Sequence, residues 1–203
     1  MDDAITIVSQ QDARAALARA WPTISRECLE VLGSELHYQA MIYFALRTSG
    51  AVPVTQLGMN VKQWIPDVQT DLFKKFDLAK HESSRGGFEP VPDVVIFSPA
   101  VEGDWRRRRS ENTLSSMLLA IEVKASERDR ARLSWSELEG DILKLSAHRD
   151  EARARGHDFH PVMMVIDSAP TATERVRDDV RESVESLARS MEVEWLYAAP
   201  EAR

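Results

Sequence analysis

The sequence contains very little cysteine. A single residue, Cys28, occurs among 203 positions, which excludes an internal disulfide and a zinc site built from several cysteines. The five histidines show no paired spacing of zinc ligands. We therefore expect no transition-metal centre, whereas a cation held by oxygen ligands stays open.

Long hydrophobic runs are also missing. The best run, residues 118–123, is interrupted by Glu122 and is far shorter than the roughly 20 residues that a membrane-spanning helix needs. The N-terminus is acidic and lacks the basic and apolar regions of a secretory signal. We expect no membrane partner and a cytoplasmic location.

Positive charge is scarce, and lysine is scarcer still. The chain has 26 Lys and Arg against 33 Asp and Glu, a net charge of −7, which argues against broad non-specific coating of nucleic acid but allows a local basic groove. Only six of the 26 basic residues are lysines. With 43% hydrophobic and 29% charged residues, the composition and length suit one globular domain over residues 1–203.

Periodicity and turn signals predict an α/β protein. Capping boxes predict helix starts at Ser9, Ser134 and Thr171, with Pro22 ending the first helix and Gly156 the second. A long helix is expected over residues 25–47, an irregular connection over 50–66, a turn at 86–87 and a loop over 100–116. Strands are expected at residues 72–81, 92–97, 117–125, 162–166 and 193–198. From the long helix onward the order is αβββαβαβ, which predicts a mixed central sheet flanked by helices.

Charged residues interrupt the strand at residues 117–125. Alternation along a strand places Glu122 and Lys124 on the same face. Burying charge is costly unless it is paired or bound to a metal. The simplest interpretation is an ion pair on a wetted face, since composition alone predicts about one acid-x-Lys triplet in this chain.

A second carboxylate gives this pair a functional context. Asp93 opens the strand at residues 92–97, so two adjacent strands would bring Asp93 and Glu122 to one edge of the sheet. Two carboxylates beside a lysine suit magnesium, which takes one or two carboxylates and keeps several waters. The alternative, Asp67 after Pro66, is not followed by a strand-like run and is expected in a turn.

Helical residues add two further candidates. Glu35 lies in an apolar stripe of the long helix and is either a core or solvent-facing glutamate or an additional metal ligand. On the helix after the lysine strand, Lys144 belongs to a polar stripe with Glu137, Asp141 and His148. Such a stripe is usually a solvated face, which is the alternative to a role for Lys144 beside the site.

In this order, Glu35, Pro92-Asp93, Glu122-Val123-Lys124 and residues 141–145 resemble the PD-(D/E)XK nuclease superfamily, which has the restriction-endonuclease-like fold. The resemblance covers about residues 25–168 and leaves an extra C-terminal helix and strand.

The resemblance implies metal-dependent phosphodiester hydrolysis. Asp93, Glu122 and the backbone carbonyl of Val123 would hold Mg²⁺, or alternatively Mn²⁺, and Glu35 would join directly or through water. Lys124 would orient or deprotonate the attacking water, and Lys144 or Asp141 would contact phosphate or steady Lys124. These are the expected catalytic and metal-binding residues.

A basic run supplies a candidate nucleic-acid surface. Trp105 is followed by Arg106, Arg107, Arg108 and Arg109, which would contact phosphates while the indole stacks on a base. The alternative is a solvated loop.

The leading hypothesis is therefore a magnesium-dependent nuclease acting on DNA, with RNA as an alternative substrate. A catalytically inactive nucleic-acid-binding subunit and a protein-interaction module, in which Glu122 and Lys124 are only a structural pair, remain open. With no evident specificity domain, a homodimer or a partner protein would supply sequence preference.

Overall fold

A computed structural model describes residues 6–65, 67–71, 89–127 and 131–200. Its helices are α1 (Gln10–Cys28), α2 (Glu35–Thr48), α3 (Ser110–Ser116), α4 (Trp135–Ala154) and α5 (Asp178–Ser190). Its strands are β1 (Leu57–Met59), β2 (Val94–Phe97), β3 (Met117–Ala125), β4 (His160–Ile166) and β5 (Glu194–Ala198). None of the helices in these ranges is long and apolar enough to cross a membrane.

The five strands form one mixed sheet in the order β1-β2-β3-β4-β5. The pairs β1–β2 and β2–β3 are antiparallel, and Val94 lies opposite Ile121. The pairs β3–β4 and β4–β5 are parallel, and Leu119 lies beside His160. The predicted mixed sheet flanked by helices is therefore confirmed.

Helices cover both faces of this sheet. On one face α1 and α2 pack against the odd-numbered residues of β3, including Ile121 and Val123. On the other face α3, α4 and α5 pack against residues such as Ala120 and Met163. Strand alternation therefore turns Glu122 and Lys124 toward the α4 side.

The single long helix predicted over residues 25–47 is wrong, because the structure has two helices with a break at residues 29–34. The first runs through Pro22 to Cys28, so Pro22 does not end it. In the break, the Gly33 N–H donates to the Tyr38 hydroxyl at 3.0 Å, and Tyr38 is fully buried. Both helices bury apolar residues in the same core cluster, so the apolar spacing continues across the break and hides it.

Turn and loop signals were confirmed in some places and wrong in others. The capping boxes at Ser9 and Ser134 are confirmed, and Gly156 follows α4 with φ +81°. The Thr171 box is wrong as a helix start: its hydroxyl donates to Glu174 at 2.7 Å within a turn, and α5 begins only at Asp178.

Two connecting segments also differ from expectation. The predicted loop at residues 100–116 contains α3, and the irregular connection at 50–66 contains β1. The strand predicted at residues 72–81 and the turn predicted at 86–87 lie outside the described residues. The strand β1 is only three residues long, too short for period-two alternation to reveal it.

Close packing of α1 against the residues that follow α2 generates a stability prediction. Ala16 is fully buried, and its carbonyl lies 3.0 Å from where a Cβ on Gly50 would stand, whereas Ala18 on the same helix is exposed. We expect Ala16→Leu to lower the free energy of unfolding by about 1–3 kcal/mol, because a tightly packed site must shift to admit three more carbons. Chemical denaturation measures this, with Ala18→Leu as the matched control. Equal stability of the two variants would contradict the packing described.

Candidate active site

Asp93 lies at the end of the sheet where β2 begins, directly beside β3. Its Oδ2 accepts the Val123 backbone N–H at 2.7 Å, and the side chain is buried. Val94 pairs with Ile121, so continuing the antiparallel register by one residue places Asp93 opposite Glu122 on the same face. The structure thus brings together the two carboxylates that the sequence analysis paired.

Burial and like charge perturb both carboxyl groups. Burial, with smaller contributions from the charges of Glu35 and Asp141, raises the pKa of Asp93 to about 6, although the Val123 N–H opposes the shift. Burial, followed by the charges of Asp93 and Asp141, raises the pKa of Glu122 to about 8. Perturbed carboxyl groups clustered in this way are typical of functional sites.

Lys124 bridges two helices that lie on opposite sides of the sheet. Its Nζ lies 3.2 Å from an oxygen of Glu35 on α2 and 3.2 Å from an oxygen of Asp141 on α4. Burial alone would lower the pKa of this ammonium, but the carboxylates of Asp141, Glu35 and Glu122 raise it above the ordinary lysine value. Lys124 therefore carries its charge at neutral pH.

The polar stripe of α4 is only in part a solvated face. Asp141 and His148 are 4% and 3% exposed, so the alternative that the stripe only meets water is wrong for both residues. Lys144 is exposed and donates to Asp141 Oδ1 at 2.7 Å. Lys144 thus reaches the site through Asp141, which holds Lys124 with its other oxygen.

Glu127 contributes to the site and was missed by the sequence analysis. Its Oε2 accepts the Glu35 backbone N–H at 2.9 Å, so it caps the start of α2, where Ser34 makes no side-chain cap. The two residues are 92 positions apart, so no local sequence pattern could reveal the contact. Glu127 therefore helps to hold Glu35 within reach of Lys124.

An open cleft lies beside these residues. It has a volume of about 330 Å³, and its lining includes Glu35, Lys124, Asp141 and Lys144. A neighbouring hollow of about 530 Å³, lined in part by Ser126 and Ser168, shares Glu127 with it. Solvent and a ligand can therefore reach Lys124 even though the surrounding carboxylates are largely buried.

The donor set fits a hard cation with few protein ligands. No group of three Asp, Glu, His or Cys side chains within the described ranges is arranged to hold a metal ion. Magnesium needs only one or two carboxylates with waters, and Asp93 and Glu122 can supply them. In a strand, the N–H and C=O of one residue point to the same side, so the Val123 carbonyl also faces Asp93.

The basic run at Trp105 lies elsewhere. The Trp105 ring stacks on Phe97 with centroids 6.0 Å apart, and its packing is part of the core. Three of the four arginines are paired with acids, for example Arg106 with Asp104 at 2.6 Å. The run precedes β3, whereas the carboxylates lie toward the other end of that strand, so the structure does not join the two groups.

The structure therefore brings five of the predicted site residues into one connected cluster: Glu35, Asp93, Glu122, Lys124 and Lys144. Residues 105–109 lie apart from it. No family model, curated protein or solved structure matches this chain. Its chemistry must accordingly be inferred from the arrangement of its own side chains.

The raised pKa of Glu122 predicts how stability depends on pH. In the unfolded chain this carboxyl ionises near its usual value of about 4.3, whereas in the folded chain it keeps its proton up to about pH 8. The folded state binds more protons between these values, so this residue lowers the free energy of unfolding as the pH rises through the interval. Glu122→Gln removes this pH-dependent decrease in the free energy of unfolding.

We therefore expect the melting temperature of Glu122→Gln to exceed that of wild type by an amount that grows from pH 5 to pH 8, measured with a chelator present. Glu182→Gln, an exposed glutamate on α5, is the control. A difference that stays constant with pH would show that the Glu122 carboxyl is not perturbed.

Proposed function

We propose that this protein is a magnesium-dependent nuclease that hydrolyses phosphodiester bonds in DNA. The observation that carries the proposal is the hydrogen bond of 2.7 Å from the Val123 N–H to Asp93 Oδ2. It joins an aspartate at the start of one strand to the Glu122-Val123-Lys124 segment of the next. An interaction module would have no need of two carboxylates with raised pKa values beside a charged lysine.

The order of helices and strands supports the same proposal. A mixed sheet follows α2, with antiparallel β2 and β3, and α4 leads from β3 to the parallel strand β4. We propose that residues 25–168 form a restriction-endonuclease-like core, to which α5 and β5 are added. This proposal rests on the order of elements together with the positions of Asp93 and Glu122 at one end of the sheet.

Asp93, Glu122 and the Val123 carbonyl would hold Mg²⁺, with Mn²⁺ as the alternative ion. When bound there, the ion would lower the pKa of a coordinated water and offset charge on the phosphoryl oxygens. The carboxylates suit this role because burial raises the pKa of both and the charge of Asp93 raises that of Glu122 further, so a cation would relieve the repulsion.

Lys124 would stabilise negative charge on the phosphoryl group. Its raised pKa favours this role over deprotonation of water, because a lysine that holds its proton at neutral pH is a poor base. Asp141 and Glu35 position the ammonium on two sides, and Lys144 holds Asp141 in turn. Each is a positioning residue in this mechanism.

Cleavage assays test the activity. Wild type should cut DNA only when magnesium is present, and Lys124→Ala should lower the rate by about 100-fold or more, the scale seen when one group that stabilises developing charge is removed. Supercoiled, linear and single-stranded DNA, and RNA, should each be incubated with and without the ion. Lys62→Ala, which removes an exposed lysine outside the site, is the matched control.

Full cleavage by Lys124→Ala, or no cleavage of any substrate by wild type, would overturn the proposal of nuclease activity. Preferential cleavage of RNA would show that the substrate is RNA and not DNA. Thermal melting of each variant should accompany the assay, so that loss of activity is separated from loss of fold.

Metal binding provides a separate readout. Titration of wild type with magnesium in a calorimeter should give heat that is lost in Glu122→Gln and Asp93→Asn, because both carboxylates contribute to the ion's charge balance. Glu182→Gln should behave as wild type. If the heat persists in both site variants, Asp93 and Glu122 do not hold the ion.

A further inference from the structure

A further cavity lies at the opposite end of the sheet from the carboxylates. Its volume is about 480 Å³, and its walls come from α3, from the segment at Trp64 and Ile65, and from the connection between α4 and β4. At about 3.3 Å per residue, the five steps along β3 from Met117, just after α3, to Glu122 span about 17 Å. The cavity is therefore distinct from the candidate active site.

Basic side chains dominate one part of this cavity. Arg107, Arg108, Arg155 and His157 line it, against a single acid, Glu111. Arg108 is exposed, and no ion pair among the described residues includes it. Arginine groups of this kind bind phosphate through several N–H donors.

Arg155 is held in place for such a contact. Its Nε and Nη2 donate to Glu151 Oε1 at 3.1 and 2.9 Å, and Nη2 also donates to the Asp67 carbonyl. Glu151 is fully buried and further fixed by the backbone of Gln69 and Thr70. These described contacts leave the Nη1 end of the guanidinium for a ligand, at little further cost in side-chain entropy.

The remaining wall is aromatic and apolar. Ile65 and Leu114 contribute apolar surface, and the guanidinium of Arg107 lies over the Trp64 ring at 5.6 Å from its centroid. Nucleobases stack on both indole rings and guanidinium planes. The cavity volume also falls in the range typical of small-molecule sites.

Another hollow of this protein shows that arginine side chains alone do not make a nucleotide site. A hollow near β4 and β5 is lined by Arg149, Arg153 and Arg189, among other residues. Arg149 and Arg153 contact Glu192, at 3.5 and 2.9 Å, and Arg189 contacts a glutamate one helical turn away. Each of these arginines is ion-paired, as are Arg107 and Arg155 of the cavity at Trp64. The hollow near β4 and β5 differs in that it has no counterpart of Arg108, which no ion pair among the described residues includes, and no tryptophan lines it.

We propose that the cavity at Trp64, Arg108 and Arg155 binds a nucleoside phosphate, free or as a residue of a nucleic-acid strand. The phosphate would contact Arg108 and Arg155, and the base would stack against Trp64 and Arg107. This inference does not depend on nuclease activity, since it concerns other residues at the other end of the sheet.

Calorimetry with full-length protein tests it, using adenosine 5′-monophosphate as the first probe. The nucleotide should bind, and both adenosine and inorganic phosphate should bind at least about tenfold more weakly, because each lacks one half of the recognised chemistry. Arg108→Ala should weaken nucleotide binding by about tenfold, the scale of one lost charge-assisted contact. Trp64→Leu should weaken it while leaving the weak binding of phosphate unchanged.

Two matched variants separate this site from others. Arg189→Ala removes an exposed arginine of the other hollow, and Glu122→Gln alters the candidate active site; both should bind the nucleotide as wild type does. Equal loss with Arg189→Ala would indicate general charge and overturn the proposal. So would absence of binding at millimolar nucleotide, or tighter binding of O-phosphotyrosine than of the nucleotide.

A single-stranded oligonucleotide distinguishes the two sources of the ligand. If Arg108→Ala weakens binding of the oligonucleotide and of the free nucleotide alike, the cavity binds a nucleotide within a nucleic-acid strand. If only the free nucleotide is affected, the ligand is a small molecule. If neither responds to Arg108→Ala, the assignment is wrong.

Discussion

A strand at the centre of a sheet cannot carry ionisable side chains without partners, and β3 carries two of them toward its carboxyl end. Glu122 and Lys124 share the face that turns toward α4, with β2 on one side and β4 on the other. Transfer of either group from water would cost several kcal/mol if it were left alone. Several of the elements around β3 are arranged so that they bring a polar group to this point.

Three elements supply those groups. The chain entering β2 provides Asp93, α2 begins with Glu35 within 3.2 Å of Lys124, and α4 provides Asp141 at the same distance. The break that separates α1 from α2 has a clear consequence here, because it places Glu35 at the start of a helix, where Glu127 can cap it. A continuous helix over residues 25–47 would have no free N–H at that position.

The acidic and basic groups of this cluster do not balance one another in charge. Four carboxyl groups meet one half-buried ammonium, and burial together with the like charges of Asp93 and Asp141 raises the pKa of Glu122 to about 8. Such an arrangement opposes folding at neutral pH, which is the usual mark of side chains retained for binding or chemistry. At the other end of the sheet the lining is different, because three arginines and a single acid line the cavity beside Trp64. The net charge of −7 therefore does not show how differently charged side chains are grouped at the two ends of the sheet.

Local patterns in the sequence determined the parts of the protein whose physics is local. Capping boxes at Ser9 and Ser134, the buried strand β3 and the alternation that pairs Glu122 with Lys124 follow from residues within a few positions of one another. Asp93 was also predicted, because it opens an apolar strand that precedes the strand carrying Glu122.

Only the tertiary structure decided what depends on distant contacts. The break before α2 is stabilised by a buried tyrosine, Glu127 acts across 92 positions, and Asp141 is buried although its helix stripe looks solvated. The basic run at residues 105–109 likewise proved to meet Trp64 rather than to offer Trp105, whose ring packs on Phe97. Spacing along the chain shows which residues share a face, but the packing of one element on another decides whether that face meets water, protein or a ligand.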